Sequence, residues 1–401
     1  MLLERLGFRT AATVAWWARL RGARWLWVPL LAFGLTRLGI ALVAYTAAAL
    51  IGANAPTLYH LRPPDNLLLD VFGSRWDTGF YLSIADEGYR YKGVPLPSVA
   101  FFPLLPLAIR AVAALVGDPM VAGLLVTNLA LLAATILFYR LVDEHWGAAI
   151  AGRAVWYLLI FPAAFFGSAI YSESLFLLAA IGALYMARRG AWESAALLGI
   201  AAALSRLVGL VVAPMLLAEL LHQRHSRPIG ARPPRWAGLA PAAVPLGTLA
   251  YMAYLQRGFG DPLAFMHGSA AWAREPRSPL TLLGGLLRAP AEGWGAALLA
   301  GRLPLNDWID LLAVVLFVSL GLVLLAERRW AEAVLVLFGA LLPLGSGLLM
   351  SQRRYMWVLF PAFVLLARWG ERPWVDRAIT LLSALGLALS VALFAKGYWV
   401  G

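Results

Sequence analysis

Long apolar runs, broken by short polar stretches, occupy most of this chain. Trp27–Leu50, Val121–Leu141, Leu311–Ala326, Val334–Leu349 and Ile379–Ala395 approach or reach bilayer-crossing length, which takes about 20 apolar residues per helix. Shorter runs such as Val358–Ala367 span only with snorkelling flanks or a kink. Lipid cannot satisfy open backbone groups, so such runs predict helices. The pattern predicts an all-α polytopic membrane protein with roughly nine to twelve transmembrane or half-membrane helices. No repeat at a fixed period and no symmetry between halves is visible, which weighs against solenoids and inverted-repeat transporters. The 401 residues read as one membrane-embedded unit.

Two stretches resist a plain helical reading. Phe101–Pro106 opens an apolar run with two prolines, and Ala195–Leu221 carries Arg206 near its middle, with Gly209 and Pro214 beyond. The second is either one helix with a buried arginine or a hairpin of half-helices with Ser205-Arg206 at its tip. A charge at the bilayer centre is costly and broken helices are tolerated beside cavities, which favours the hairpin.

Composition agrees with the pattern. Hydrophobic residues make up 62%, charged residues 13%, and mean hydropathy is +0.76, whereas soluble domains carry about a quarter charged residues. The net charge of +12 matters through its placement. Residues 1–25 hold Arg5, Arg9, Arg19, Arg21 and Arg24 against Glu4, and His222–Arg235 holds four arginines and no acid. Both segments, the second forming a basic loop over 222–236, are expected in the cytoplasm. These arginines flank spans and lack the stacking aromatics of a nucleic-acid module, so no nucleic-acid partner is expected. The first apolar run is too long for a cleaved signal and reads as a retained helix. With no cysteine, disulfides and thiolate metal sites are excluded.

Two longer polar segments are expected on the outer face, residues 53–98 and 257–305. The first mixes Asp65, Asp70, Asp77, Asp86 and Glu87 with Arg62, Arg75, Arg90, Lys92 and many aromatics. Long loops of this kind are usually functional or disordered, and the aromatic content argues against disorder. Within it, Asp77 sits in Arg75-Trp76-Asp77 among aromatics. Desolvation there would raise a carboxylate's proton affinity and Arg75 would lower it again, a balance that suits a general base on a hydroxyl. An interfacial aromatic belt with incidental charges explains the same residues. Glu173, in Tyr171-Ser172-Glu173-Ser174 between apolar runs, reads both as a membrane-edge functional acid and as the start of a helix.

Arg206 has no acid at helical spacing, so its partner is a distant side chain or an anionic ligand. Arg353-Arg354-Tyr355 presents guanidiniums that bind phosphate bidentately, or that simply snorkel at a helix end. His267, in the second outer segment, reads first as a surface histidine. No His/Asp/Glu cluster has metal-ligand spacing, so no metal is expected. Neither glycine-rich nucleotide loop is present; no cofactor is implied.

Five segments in order carry a family resemblance: RWDTGFYLSIADEGY at Arg75–Tyr89, VAFFPLLPLAIR at Val99–Arg110, YSESLF at Tyr171–Phe176 with LSRLVGL at Leu204–Leu210, GDPLAF at Gly260–Phe265, and SQRRYMWVLFP at Ser351–Pro361. Together they resemble the PIG-V family, the second mannosyltransferase of GPI-anchor synthesis and its prokaryotic relatives. The resemblance implies a GT-C glycosyltransferase bundle and a polyprenyl- or dolichyl-phosphate mannose donor. It further implies inversion at the anomeric carbon with α-linkage to a lipid-linked glycan acceptor, and Asp77 as base by motif position. Arg206, Arg353, Arg354 and Tyr355 are then candidates for binding the donor phosphate. Arg75, Trp76, Tyr81, Glu173, Asp261 and His267 are candidates for binding the rest of the substrates. With no Asn-x-Ser/Thr sequon and no retrieval signal, a prokaryotic plasma-membrane protein with its site on the outer face is expected. A transporter or flippase of lipid-linked sugars is the alternative; the helix count fits it, the long outer segment with Asp77 less so.

Overall fold

The computed structural model describes residues 22–51, 67–275, 277–288, 290 and 292–400. Arg5, Arg9, Arg19, Arg21, Arg62 and Asp65, with the early part of the 53–98 segment, lie outside the described residues. Among the described residues the chain is all-α, with no strand.

Six helices among the described residues are long and apolar enough to cross a membrane: Arg24–Leu50, Pro119–Trp146, Leu207–Ser226, Arg235–Phe259, Leu305–Ala326 and Pro373–Ala395. Shorter apolar helices cover Leu104–Val116, Ala148–Ile160, Trp192–Ser205 and Trp330–Ser346. The expected polytopic membrane fold is therefore what the chain adopts. The outermost helices turn leucines outward, Leu35, Leu38 and Leu42 on the first and Leu381, Leu382 and Leu385 on the last. In water so large an apolar surface would drive association; in a bilayer it meets its matching solvent.

The inverse arrangement holds at the centre. Helix Glu173–Arg188 packs between Pro119–Trp146 and Trp192–Ser205, and its Phe176, Leu177, Ala180, Ile181 and Leu184 have no exposed surface. Lipid supplies no hydrophobic drive between helices, so close backbone approach through small residues carries the packing. A Cβ on Gly247 would stand 2.5 Å from the Ile200 carbonyl oxygen, and one on Gly209 2.0 Å from that of Ala202.

Gly209 also explains the break at Arg206. Helix Trp192–Ser205 ends there, Arg206 is extended (φ −172°, ψ 159°), and a 3₁₀ turn over Leu207–Val211 doubles back against Ala202. The chain thus turns at Ser205-Arg206 as a hairpin does, but only the arm before it, Trp192–Ser205, is short; Leu207–Ser226 is long enough to cross a membrane. At Phe101–Pro106 the prolines act as a helix start: Pro103 precedes Leu104–Val116 and Pro106 sits in its first turn, where a missing N–H costs nothing. The two polar segments are less irregular than their sequences suggest. The first contains Leu67–Gly73 and Thr78–Glu87; the second contains Ala264–Ser269, Pro279–Leu287 and Trp294–Leu299. Helices of one to three turns offer too few periods for a sequence pattern to register.

The ends of the bundle differ in charge. Arg188, the last residue of the 16-residue central helix, pairs with Glu219 at 3.3 Å and Glu332 at 2.5 Å, and Arg227 donates to its carbonyl. Arg329 also pairs with Glu332, and Arg140 lies over the Trp25 ring where the first helix begins. Glu173 stands at the opposite end of the same helix, about 22 Å away at about 1.5 Å per residue.

This polarity makes topology testable in a chain without cysteine. With the basic end cytoplasmic, Lys92→Cys should react with an impermeant maleimide in intact cells and Gly230→Cys only after permeabilisation. The reverse labelling pattern would invert the protein in the membrane.

Candidate active site

The end of the bundle that carries Glu173 encloses a cavity of about 710 Å³. Its walls come from segments far apart in sequence: Trp76, Asp77 and Tyr81; Phe101; Tyr171 and Glu173; Arg206; Trp272 and Arg274; Arg354 and Tyr355; and Trp399.

Asp77 occupies the turn between Leu67–Gly73 and Thr78–Glu87. Trp76 holds that turn in the left-handed region at φ 56°, where non-glycine residues are uncommon and cluster at functional sites. Arg75 points away from the cavity and donates to the Phe394 carbonyl at 3.1 Å, tying the turn to the end of the last helix. The Asp77 backbone N–H donates to the Tyr171 hydroxyl at 3.3 Å. Its Oδ2 accepts from Arg354 Nη1 at 2.8 Å.

Glu173 is the first residue of the central helix, where the helix dipole favours an anion, and it is buried. Its Oε1 lies 3.0 Å from Arg206 Nη1 and 3.3 Å from Arg354 Nε. Arg354 therefore bridges two carboxylates, and the distant partner that Arg206 lacks in its own stretch of sequence is Glu173. Burial by itself would lower the Arg354 pKa, but Glu173 and Asp77 hold its guanidinium well above its ordinary value. The rings of Phe166, Tyr171, Tyr355 and Trp399 all lie within 5.4 Å of its guanidinium carbon, so cation–π attraction adds to the ion pairs. Three buried atoms here, Glu173 Oε2, Arg206 Nη1 and Arg354 Nε, have no hydrogen-bond partner among the described residues. The two nitrogens stand close to Glu173 as charges without the alignment of a hydrogen bond. Buried polar groups are almost always satisfied, so this concentration on one cavity points to a polar ligand.

Arg353 takes the opposite direction. Its Nε donates to Asp310 Oδ1 at 2.9 Å and its Nη2 to Asn306 Oδ1 at 2.9 Å, while the buried N–H groups of Ser351 and Arg353 also donate to Asp310. It does not line the cavity. It anchors the short helix Gln352–Trp357 that aims Arg354 inward. Successive helical residues diverge by about 100°, so two adjacent arginines cannot share one face.

Asp261 and His267 also lie outside the cavity lining. Asp261 Oδ2 meets His267 Nδ1 at 2.7 Å and accepts from the Tyr91 hydroxyl at 2.8 Å, joining the two polar segments. Trp76, Asp77, Tyr81, Glu173, Arg206, Arg354 and Tyr355 are thus brought together, whereas Arg75, Arg353, Asp261 and His267 support the walls. Tyr171, Trp272, Arg274 and Trp399 also line the cavity, and sequence reasoning misses all four. Tyr171 opens one of the five family-like segments, but the other three carry no local pattern that marks them.

The tie at Asp261 has a pH signature. The hydrogen bond with His267, then those with Tyr91 and the Leu263 N–H, hold its carboxyl below the ordinary value. A depressed carboxylate contributes stability above its unfolded pKa and loses it as pH falls through the folded value. Asp261→Asn should therefore melt earlier than the parent at about pH 6, and the gap should close below about pH 3.9. A pH-independent gap would assign the loss to packing.

Residues 65–237 match the sequence model of the mannosyltransferase (PIG-V) family. Gly260–Phe265 and Ser351–Pro361 lie beyond that match. Among solved structures, the chain is similar to the oligosaccharyltransferase AglB from Archaeoglobus fulgidus in complex with an inhibitory peptide and a dolichol-phosphate. That similarity has a TM-score of 0.42 and 13% identity over 95% of this chain and 57% of the other. The apo form gives 0.43 and 14%, over 93% and 56%. The chain spans somewhat more than half the length of these structures. Comparison with curated proteins finds no match.

Proposed function

From the mannosyltransferase match over residues 65–237, we propose that this chain is a membrane glycosyltransferase. It transfers a mannosyl residue from a polyprenyl- or dolichyl-phosphate-mannose donor to a lipid-linked glycan acceptor, with inversion and formation of an α-linkage. The observation that carries this reading is the chain of charges Asp77–Arg354–Glu173–Arg206 on one cavity wall. A base and a set of fixed cations are the two things the transfer needs.

In this reading the acceptor hydroxyl attacks C1 of the sugar as the bond from C1 to the phosphate oxygen breaks. The departing phosphate keeps the electron pair, and Asp77 takes the hydroxyl proton. Arg354 occupies Asp77 Oδ2; Oδ1 has no hydrogen-bond partner among the described residues and remains for the acceptor. Charge that grows on the leaving phosphate is stabilised by Arg354 and Arg206, whose orientation is already set by Glu173 and the surrounding rings. Aromatic walls lower the local dielectric, so fixed cations act more strongly there than in bulk solvent. The site lies at the end of the bundle away from the basic residues, which supports placement on the outer face of a plasma membrane. The absence of paired half-repeats in the sequence leaves less support for a transporter.

Asp77→Asn should keep the fold and donor affinity and lower turnover by roughly 10²–10⁴, the usual contribution of a general base. Asp86, exposed in the same outer segment, is the control; Asp70 is buried and unsuitable. Transfer of radiolabelled mannose from polyprenyl-phosphate mannose to a membrane lipid extract is the assay. Activity that survives Asp77→Asn but disappears in Glu173→Gln would move the base to Glu173. No transfer from any lipid-linked donor would remove the transferase reading.

A further inference from the structure

Three guanidiniums reach the cavity, and they are not equivalent. Arg206 and Arg354 are both committed to carboxylates. Arg274, from the second outer segment, pairs with no carboxylate among the described residues. It donates a long hydrogen bond of 3.4 Å to Ser346 Oγ and lies 5.8 Å from the Tyr355 ring centroid. A partly buried cation without a counter-ion is costly, and the cost is relieved when an anion enters.

The backbone is shaped to hold Arg274 there. Ala273 is in the left-handed conformation (φ 56°, ψ 25°), a second non-glycine residue in that region beside a cavity charge, as Trp76 is beside Asp77. On the facing element, Gly347 has φ 78°, and a Cβ there would stand 2.3 Å from the Glu275 carbonyl oxygen. Only glycine lets the Arg274–Glu275 backbone settle against helix Trp330–Ser346, whose last residues, Leu342–Ser346, are 3₁₀. Tyr355 reports the resulting field. Its ring centroid is 5.2 Å from Arg206, 5.8 Å from Arg274 and 5.4 Å from Arg354. Burial would raise its phenol pKa, yet Arg274, Arg354 and Arg206 together bring it below the ordinary value.

We propose that Arg274, with the Ser346 hydroxyl, is the docking site for the phosphate of the lipid-linked donor. It acts in the ground state, while Arg354 and Arg206 remain on their carboxylates. A donor phosphodiester carries one negative charge, and Arg274 is the cavity guanidinium without a paired anion among the described residues. The inference rests on the transferase reading but assigns a separate step, donor capture, to a residue outside the charge chain.

A short-chain polyprenyl phosphate serves as probe, with binding read from the fluorescence of the cavity tryptophans Trp76, Trp272 and Trp399. Arg274→Ala should weaken binding by about tenfold to a hundredfold, the span of a lost charge-assisted hydrogen bond. It should raise the donor KM in the same proportion and leave kcat nearly unchanged, because uniform binding is what is lost. Arg274→Lys should restore part of the affinity, and its melting midpoint should match the parent. Arg288→Ala, an exposed arginine of the same segment, should change nothing. Unchanged probe affinity in Arg274→Ala, with the parent still active, would overturn the inference and leave the transferase reading intact. A loss of kcat at constant affinity would overturn it too, placing Arg274 in the transition state. A parent that neither binds the probe nor transfers mannose would remove both.

Discussion

The arrangement of this site depends on one buried cation. Arg354 joins Asp77, from the first polar segment, to Glu173, at the start of the central helix. Glu173 is buried and Asp77 partly so, and a carboxylate in such surroundings requires a partner. The guanidinium satisfies both and is itself enclosed by four rings. Removing it would leave Asp77 without its counter-charge and Glu173 with Arg206 alone. The position of Arg354 in turn depends on Arg353 and Asp310, which fix the short helix that carries it.

This pairing shapes the chemistry proposed. The cavity holds its carboxylates and guanidiniums close to balance, so the bundle can keep them at the edge of an apolar medium. Buried oxygen and nitrogen atoms on Glu173, Arg206 and Arg354 have no hydrogen-bond partner among the described residues, and in the proposed reading they are the groups a substrate engages. At the far end of the central helix, Arg188, Glu219, Glu332 and Arg329 form a second network that encloses only a small void. The same residue types there close a helix junction, because no large cavity opens beside them. Geometry, and not residue type, separates the two networks.

Several site residues are legible from their place in the chain. Asp77, Glu173 and Arg206 stand out because charges are rare here and each interrupts an apolar or aromatic stretch, which in a membrane protein calls for a reason. Arg353 and Arg354 are indistinguishable by the same logic. One helical step sends one inward and the other to Asp310, and nothing in two adjacent arginines tells which. Asp261 and His267 mark a tie between loops, a role that depends on Tyr91 arriving from a distant segment. Arg274 carries no comparable mark, because it lies among short helices where hydrophobic period is no guide.

Apolar runs of bilayer length suffice to define the class of molecule, since lipid leaves helices as the way for such segments to satisfy their backbone. The hairpin at Arg206 follows from residues in the same window, where a charge and a nearby glycine oppose a continuous span. Which charges meet is a matter of the folded arrangement. Asp77, Glu173, Arg206, Arg274 and Arg354 come from five separate segments, and their convergence on one cavity depends on helix rotation and on backbone contacts such as Gly209 with Ala202 and Gly347 with Glu275. Those contacts are set by the fit of many side chains at once, so no local window of sequence contains them.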